Sequence, residues 1–257
     1  MRKKLVTSFV IPVFVMFLMV SGVYSQEIKL EYKVPVKSIE YNLDSNAKSV
    51  FSLYGLEKLI VQEANTTFKY SKGNKSGEIP IRLDVTDQIL INDGEPSKNT
   101  EKGKSVQLLL EKNGVVVKSS DTSVLENFQD LLISFPDKKV KKGSTWVNKV
   151  PMQLPDGKGG MIDTKAEIKC IVSSIKKFKG HKCVVIDTKL TIRPEKNDFT
   201  NMKAEATGKI YFDYKRGLIL AVTNKLRLKL DVYKFYNKKK VLFTSLSLKM
   251  INKLKVK

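Results

Sequence analysis

Histidine and tryptophan each occur once in 257 residues, cysteine twice and arginine five times. One histidine and two cysteines fall short of the four Cys and His ligands of a structural zinc site. A single tryptophan argues against an aromatic-lined sugar cleft. Arginine scarcity matters because the positive charge is then almost all lysine, a hydrated point charge on a flexible stem rather than a bidentate reader of bases and phosphates. A nucleic-acid reader would carry more arginine with interleaved aromatics, so nucleic acid is not an expected partner. Beyond the N-terminus no run is long and apolar enough to cross a bilayer. What is present is a 42% hydrophobic composition, enough for a core, and a net charge of +21 from 47 basic against 26 acidic residues.

Met1-Arg2-Lys3-Lys4 is a short positive segment, and Leu5 to Val20 is an apolar run broken only by Thr7, Ser8 and Pro12. Ser21-Gly22-Val23-Tyr24-Ser25 follows, with a small residue at position 25. This order predicts a signal peptide over 1–25, cleaved before Gln26, and hence a periplasmic or extracellular protein. The alternative is an uncleaved anchor, although the run falls short of the ~20 residues of a full span. Cleavage would remove three basic groups, leaving 44 minus 26, or +18.

From Ile28 onward the dominant period is two, which marks strands with one buried and one wet face. Leu218, Leu220, Val222, Leu226, Leu228 and Leu230 share one face, interrupted only by Asn224, while Thr223, Lys225, Arg227 and Lys229 take the other. Ala204 to Phe212 alternates likewise, and Asp213 to Gly217 fits a hairpin loop that would set Glu205 near Lys225. A third strand runs from Leu242 towards Val256 after Asn237-Lys238-Lys239-Lys240. Another hairpin turns at Lys179-Gly180, and Asn113-Gly114 suits a type I′ turn. Shorter candidates are Lys29–Val36, Ser38–Leu43, Thr66–Tyr70 and Pro80–Ile91. Against this pattern, Val124, Leu125, Phe128, Leu131, Leu132 and Phe135 recur at three and four behind a Ser123-x-x-Glu126 capping box, predicting an amphipathic helix over 123–135. Residues 48–63 are a second, ambiguous helix candidate weakened by Gly55.

About ten antiparallel strands with one helix and no βαβ alternation predict a mainly β fold, a strongly curved antiparallel sheet or open β-barrel. Strands this long in one sheet must coil, which favours that form over a β-sandwich. Residues 26–257 read as a single domain, with two β halves joined through 123–150 as the variant reading.

Few residues offer chemistry. His181 and Cys183 share a strand face two positions apart, too far for a direct hydrogen bond, so neither a Cys-His dyad nor a metal site is expected. Cys170 and Cys183 form an even pair that export would tend to oxidise. Strand parity instead puts Cys170 inside and Cys183 outside, unless a slip or bulge intervenes. Asp156-Gly157-Lys158-Gly159-Gly160 lacks the ending and setting of a phosphate loop. Asp84 and Asp87 should face opposite ways, so no acid/base pair is indicated. Asn65-Thr66-Thr67 is formally a glycosylation sequon, and Trp146 reads as a core or rim anchor. No catalytic, cofactor-binding or metal-binding residue is assigned. The one asymmetry is the C-terminal stretch, where thirteen basic residues stand against Asp231 alone between Tyr214 and Lys257. If the last two strands pair, Lys225, Arg227, Lys229, Lys249, Lys253 and Lys255 crowd one outer face, and an anionic lipid head group or cell-wall polymer would relieve them. The alternative is a simply solvated lysine face.

Three stretches together support a resemblance. Pro136 to Trp146 contains Val140-Lys141-Lys142-Gly143-Ser144-Thr145-Trp146, Gly180-His181-Lys182-Cys183 opens a strand, and Gly208-Lys209-Ile210-Tyr211-Phe212-Asp213 precedes Gly217-Leu218. Over roughly 130–235 the chain resembles exported bacterial β-rich proteins of unknown function. More distantly it is similar to the periplasmic lipoprotein-carrier fold, an open barrel holding acyl chains. The resemblance implies a β architecture and an envelope location but transfers no catalytic residue. The expected role is non-enzymatic binding of an apolar or amphiphilic ligand in the curved sheet. An interaction protein using the basic face is the alternative.

Overall fold

The computed structural model describes residues 27–73, 79–96, 102–120, 133–155, 161–192, 199–237 and 239–257. They form one antiparallel sheet of twelve strands. In chain order these are β1 (Ile39–Leu53), β2 (Leu56–Lys72), β3 (Ile79–Asn92), β4 (Glu95–Pro96), β5 (Ser105–Leu110) and β6 (Val116–Ser119). Then follow β7 (Thr145–Pro155), β8 (Met161–Phe178), β9 (His181–Ile192), β10 (Thr200–Asp213), β11 (Leu218–Tyr236) and β12 (Lys239–Val256). The spatial order is β6-β5-β3-β2-β1-β12-β11-β10-β9-β8-β7, with β4 beside β3. Pairing of β1 with β12 welds the two halves into one sheet. A sandwich is therefore excluded.

The sheet curls without closing. Laid flat, β5 and β7 would stand nine strand spacings apart, roughly 40 Å. Yet the short segment 133–136 touches both: the Phe135 amide donates to Asn113 O beside β5, and Trp146 Nε1 on β7 donates to Ser134 O at 2.8 Å. A second strap, residues 27–38, crosses the same end. Its Ile28 exchanges both backbone hydrogen bonds with Val140, Tyr32 N donates to Lys112 O, and Lys33 N donates to Gly217 O. Lys29–Val36 is thus an inserted strap rather than a strand of the sheet.

The turns follow from local chemistry. Tyr54-Gly55, Asp93-Gly94 and Lys179-Gly180 place both residues at positive φ, the two-residue hairpin turn whose twist matches the strands. The first of these splits 48–63 into β1 and β2, so the ambiguous helix there is replaced by a hairpin. At Asn113-Gly114 only the glycine has positive φ, which makes a longer hairpin loop rather than the expected type I′ turn. Gly217, at φ +68°, has a further constraint, because a Cβ there would lie 2.6 Å from Lys33 N and 2.8 Å from Glu31 O. Only glycine lets the strap lie across this turn. The helix expected over 123–135 falls outside the described residues as far as 132; its described end, 133–135, is not helical.

Candidate functional site

The β1, β9, β10, β11 and β12 registers turn the inner face into rungs, since directly paired residues share a face. Call the end with the Gly217 and Gly180 turns the upper end. There the inner face is sealed. Tyr32 stacks on Phe135 at 4.9 Å and meets Phe212 edge-on at 5.4 Å, and the cluster extends through Ile186, Ile210, Val222 and Leu254. Tyr32, Tyr41 and Tyr70 share this region around an apolar cavity of only about 50 Å³. Burial raises the pKa of all three phenols well above its ordinary value. Two of the hydroxyls donate to backbone carbonyls, Tyr32 to Ile133 O and Tyr41 to Ile219 O.

Halfway down, one rung is polar. Cys170 pairs with Thr188, Thr188 with Gly208, Gly208 with Asn224, Asn224 with Asn252, and Asn252 with Ser45. Gly208 leaves the space that two neighbouring side-chain ends fill. A Cβ would lie 2.2 Å from Asn224 Oδ1 and 2.4 Å from Thr188 Oγ1. A cavity of about 90 Å³ opens beside this rung, and the buried Oδ1 of Asn252 has no hydrogen-bond partner. The interruption by Asn224, visible in the sequence, is thus one member of a transverse polar row.

Below that rung the face becomes apolar again; among the described residues Ile133 of the strap reaches its first rung, and Ala204 and Met202 at its flank are buried. Leu226 pairs with Met250, Leu228 with Leu248, and Leu230 with Leu246, and all six are half-buried. Small residues flank them: Ala206 and Ala204 on β10, Ala47 and Ser49 on β1. On β11 and β12 the contiguous buried cluster reaches no lower than Val222 and Leu254. Six residues separate Asn224 from Leu230, so the trough runs roughly 20 Å.

The outer face carries the predicted cations. Arg227 pairs with Lys249, so β11 and β12 do present Lys225, Arg227, Lys229, Lys249, Lys253 and Lys255 on one side. Two neighbours were not legible in the sequence. Lys48 lies beside Lys249, and Lys203 beside Lys229. Lys48 could be found only by knowing that β1 pairs with β12 across almost the whole chain. Acids also interleave: Asp44 pairs with Lys253, and Asp231 lies 3.5 Å from Lys229 Nζ. Glu205 faces Arg227, not Lys225, which pairs with Thr207. The shift is two residues: Asp213 pairs with Leu218, which shortens the expected loop by one residue, and a bulge between Tyr211 and Phe212 adds the second.

His181 sits against the β10–β11 turn, between Asp213 and Arg216. Its Nδ1 lies 3.1 Å from Asp213 Oδ2, and the buried Asp213 also accepts from the amides of Lys215 and Arg216. The group therefore holds the β10–β11 turn. Cys183 packs nearby, but burial, assisted by the Asp213 charge, pushes its thiol up to about 11, the reverse of an activated nucleophile.

The Cys170–Cys183 bridge is not formed. Cys170 aligns with Thr188, five positions along β9 from Cys183, roughly 16 Å and well beyond disulfide reach. Both thiols are free and buried, and burial pushes Cys170 up to about 12. Titration of the unreduced protein should find almost no reactive thiol when folded and two equivalents in denaturant. A protein with none in denaturant would contradict this geometry.

The remaining candidates resolve simply. Asp84 pairs with Arg82 Nε at 2.8 Å and Asp87 with Lys102 at 3.3 Å, each in its own ion pair. Asn65 donates to Asp44, and Trp146 is a half-buried anchor packed on the core. The glycine-rich 156–160 lies outside the described residues. Among the described residues no cluster of three or more His, Cys, Asp or Glu could hold a metal, and no helix is long and apolar enough to cross a membrane.

The fold and trough define a class: an open, single-sheet antiparallel β protein, sealed at one end of its concave face. No family model matches the sequence, and no curated protein matches it. The solved structure of DynF from the dynemicin biosynthesis pathway of Micromonospora chersina aligns over 90% of this chain and 85% of its own. The identity is 8% and the TM-score 0.21, a superposition too loose to carry an argument.

Proposed function

We propose that this is an exported, non-enzymatic protein that binds an amphiphile along the lower half of its concave face. The observation that carries the reading is the set of three half-buried leucine- and methionine-rich rungs beneath the polar row. Leaving such a surface wet costs about 25 cal/mol per Å² of apolar area that an acyl chain would cover. The sealed upper half cannot be the site, because a cavity of about 50 Å³ admits no chain. The trough's length of roughly 20 Å exceeds the ~15 Å depth of one bilayer leaflet, so an ordinary acyl chain fits along it. Asn224 and Asn252 stand at its upper end, where an amide- or hydroxyl-bearing group of the ligand would meet them.

Export rests on the N-terminal pattern, and N-terminal sequencing of the secreted form should read from Gln26. For binding, a fluorescent-labelled palmitate should saturate on the purified protein, and Leu228→Asp should weaken it at least tenfold. If delipidated protein neither retains nor takes up lipid by mass spectrometry, the reading fails.

A second reading has its own support in the Lys48–Lys249–Arg227 rung, three adjacent cations across β1, β12 and β11. Like charges in register destabilise a sheet, and an anionic head group or envelope polymer would offset that. Binding to dextran sulfate should then weaken steeply between low and physiological salt; salt-insensitive binding would count against it.

A further inference from the structure

The lower rim of the sheet is unlike the rest of the surface. β12 pairs with β1 only from Thr244 onward, and β10 meets β11 only up to Val232. Among the described residues the β11–β12 hairpin therefore extends past both neighbouring strands, and its tip, 233–236 paired with 239–242, is a two-stranded ribbon roughly 13 Å long. Such a ribbon is marginal by itself in water. Phe235 and Tyr236 are consecutive strand residues and point to opposite faces, so neither orientation of the ribbon hides both. Tyr236 is 74% exposed, and Phe235, Val241 and Leu242 are each about half exposed. Beside it lies the β1–β2 turn, joined by the bond from Tyr54 N to Phe243 O, where Tyr54 is 73% and Leu56 79% exposed.

Cations surround this apolar tip. Lys58, Lys234, Lys239 and Lys240 are all exposed, and Glu57 is the single acid on the described residues of the two turns. Lys234 Nζ lies 3.6 Å from the centre of the Phe243 ring and Lys240 Nζ 4.3 Å from that of Tyr233. Lysine heads around amphipathic aromatic rings and exposed leucines match the chemistry of a membrane interface: rings and leucines enter the head-group boundary while ammonium groups stay with lipid phosphates. A neutral protein partner would leave these cations uncompensated.

We infer that this rim, the β11–β12 ribbon together with the Tyr54–Leu56 turn, is a docking tip for the surface of an anionic bilayer. The inference is separate from ligand binding in the trough. The test is flotation of the mature chain with phosphatidylcholine vesicles, with and without one-third phosphatidylglycerol. The wild type should partition at least tenfold more strongly onto the anionic vesicles, as juxtamembrane lysines do. Tyr236→Asp with Leu242→Asp should abolish at least tenfold of that partitioning, with unchanged circular dichroism and unchanged binding of labelled palmitate in vesicle-free buffer. Lys141→Gln with Lys142→Gln, exposed residues away from the tip that give the same change in charge as the tip variant, should leave partitioning within twofold. A convex-face variant, Arg227→Glu with Lys249→Glu, reports on the second reading. Equal partitioning of the tip variant, loss only in the convex-face variant, or tip-dependent dimerisation without vesicle binding would each overturn the proposal. Failure of palmitate binding alone would sink the trough reading and leave the tip standing.

Discussion

Replacing Tyr32 by alanine should lower the unfolding free energy by about 3–5 kcal/mol, the usual cost of emptying a buried aromatic site. Tyr32 is the residue through which the 27–38 strap enters the core: its ring packs against both Phe135 and Phe212 and is 3% exposed. Neighbouring atoms cannot easily collapse into the gap. Gly114 already lies so close that a Cβ there would be 2.3 Å from the Tyr32 ring, and the strap is pinned on either side at Lys112 and Gly217. Tyr32→Phe isolates the polar part. It keeps the ring and removes only the donor to Ile133 O, leaving a buried carbonyl short of a partner at a cost of about 1–3 kcal/mol. Urea unfolding followed by circular dichroism measures both. A Tyr32→Ala cost below about 1 kcal/mol would mean that the strap is not part of the cooperative core.

Alkaline pH should unfold this protein steeply. Tyr32, Tyr41 and Tyr70 are buried together, and burial raises the folded pKa of each above the ordinary value of about 10. For a group whose folded pKa is raised, the unfolded chain loses its proton first. The contribution is fully present below pH ~10 and is lost as pH rises through the folded value. Each phenol removes about 1.4 kcal/mol per pH unit across that window, so three together approach 4 kcal/mol per unit. Phenolate absorbance of the folded protein should therefore show these three tyrosines silent until they appear together with unfolding. Tyr70→Phe should flatten the stability slope by about a third. If all the tyrosines titrate near pH 10 without loss of structure, the three rings are not sealed as described.

Much of this arrangement could be read in the chain, and the exceptions have definite causes. The alternation along 218–230 and 204–212 identified β10 and β11, because a period of two survives whatever the strand pairs with. The lysine face of the last two strands was legible for the same reason: one local hairpin sets their register. By contrast, 48–63 reads ambiguously because Leu53, Leu56, Leu59 and Ile60 also satisfy helical spacing. What decides it is the Tyr54-Gly55 turn together with β12, about two hundred residues away, which pairs along β1. The Glu205 partner was misplaced by two residues, one from the shorter loop and one from a bulge that leaves no mark in the alternation. The polar row was visible only as one odd asparagine, since Thr188, Gly208, Asn224, Asn252 and Ser45 come from five strands.

The sequence by itself determined an antiparallel β chain with long amphipathic strands and a lysine-rich outer side. These are local properties, set by side-chain period, turn residues and composition, and they hold before any strand meets its neighbour. Tertiary structure alone decided that β1 joins β12 and that the described straps seal the upper half of the concave face. It also decided that the cysteines lie five positions apart in register and that the β11–β12 ribbon extends past the described ends of β1 and β10. Each of these depends on contacts between residues far apart in the chain, made where the closure of long loops is repaid by burial of the Tyr32–Phe135–Phe212 core. The uneven filling of one curved face locates the surface on which the proposed function rests.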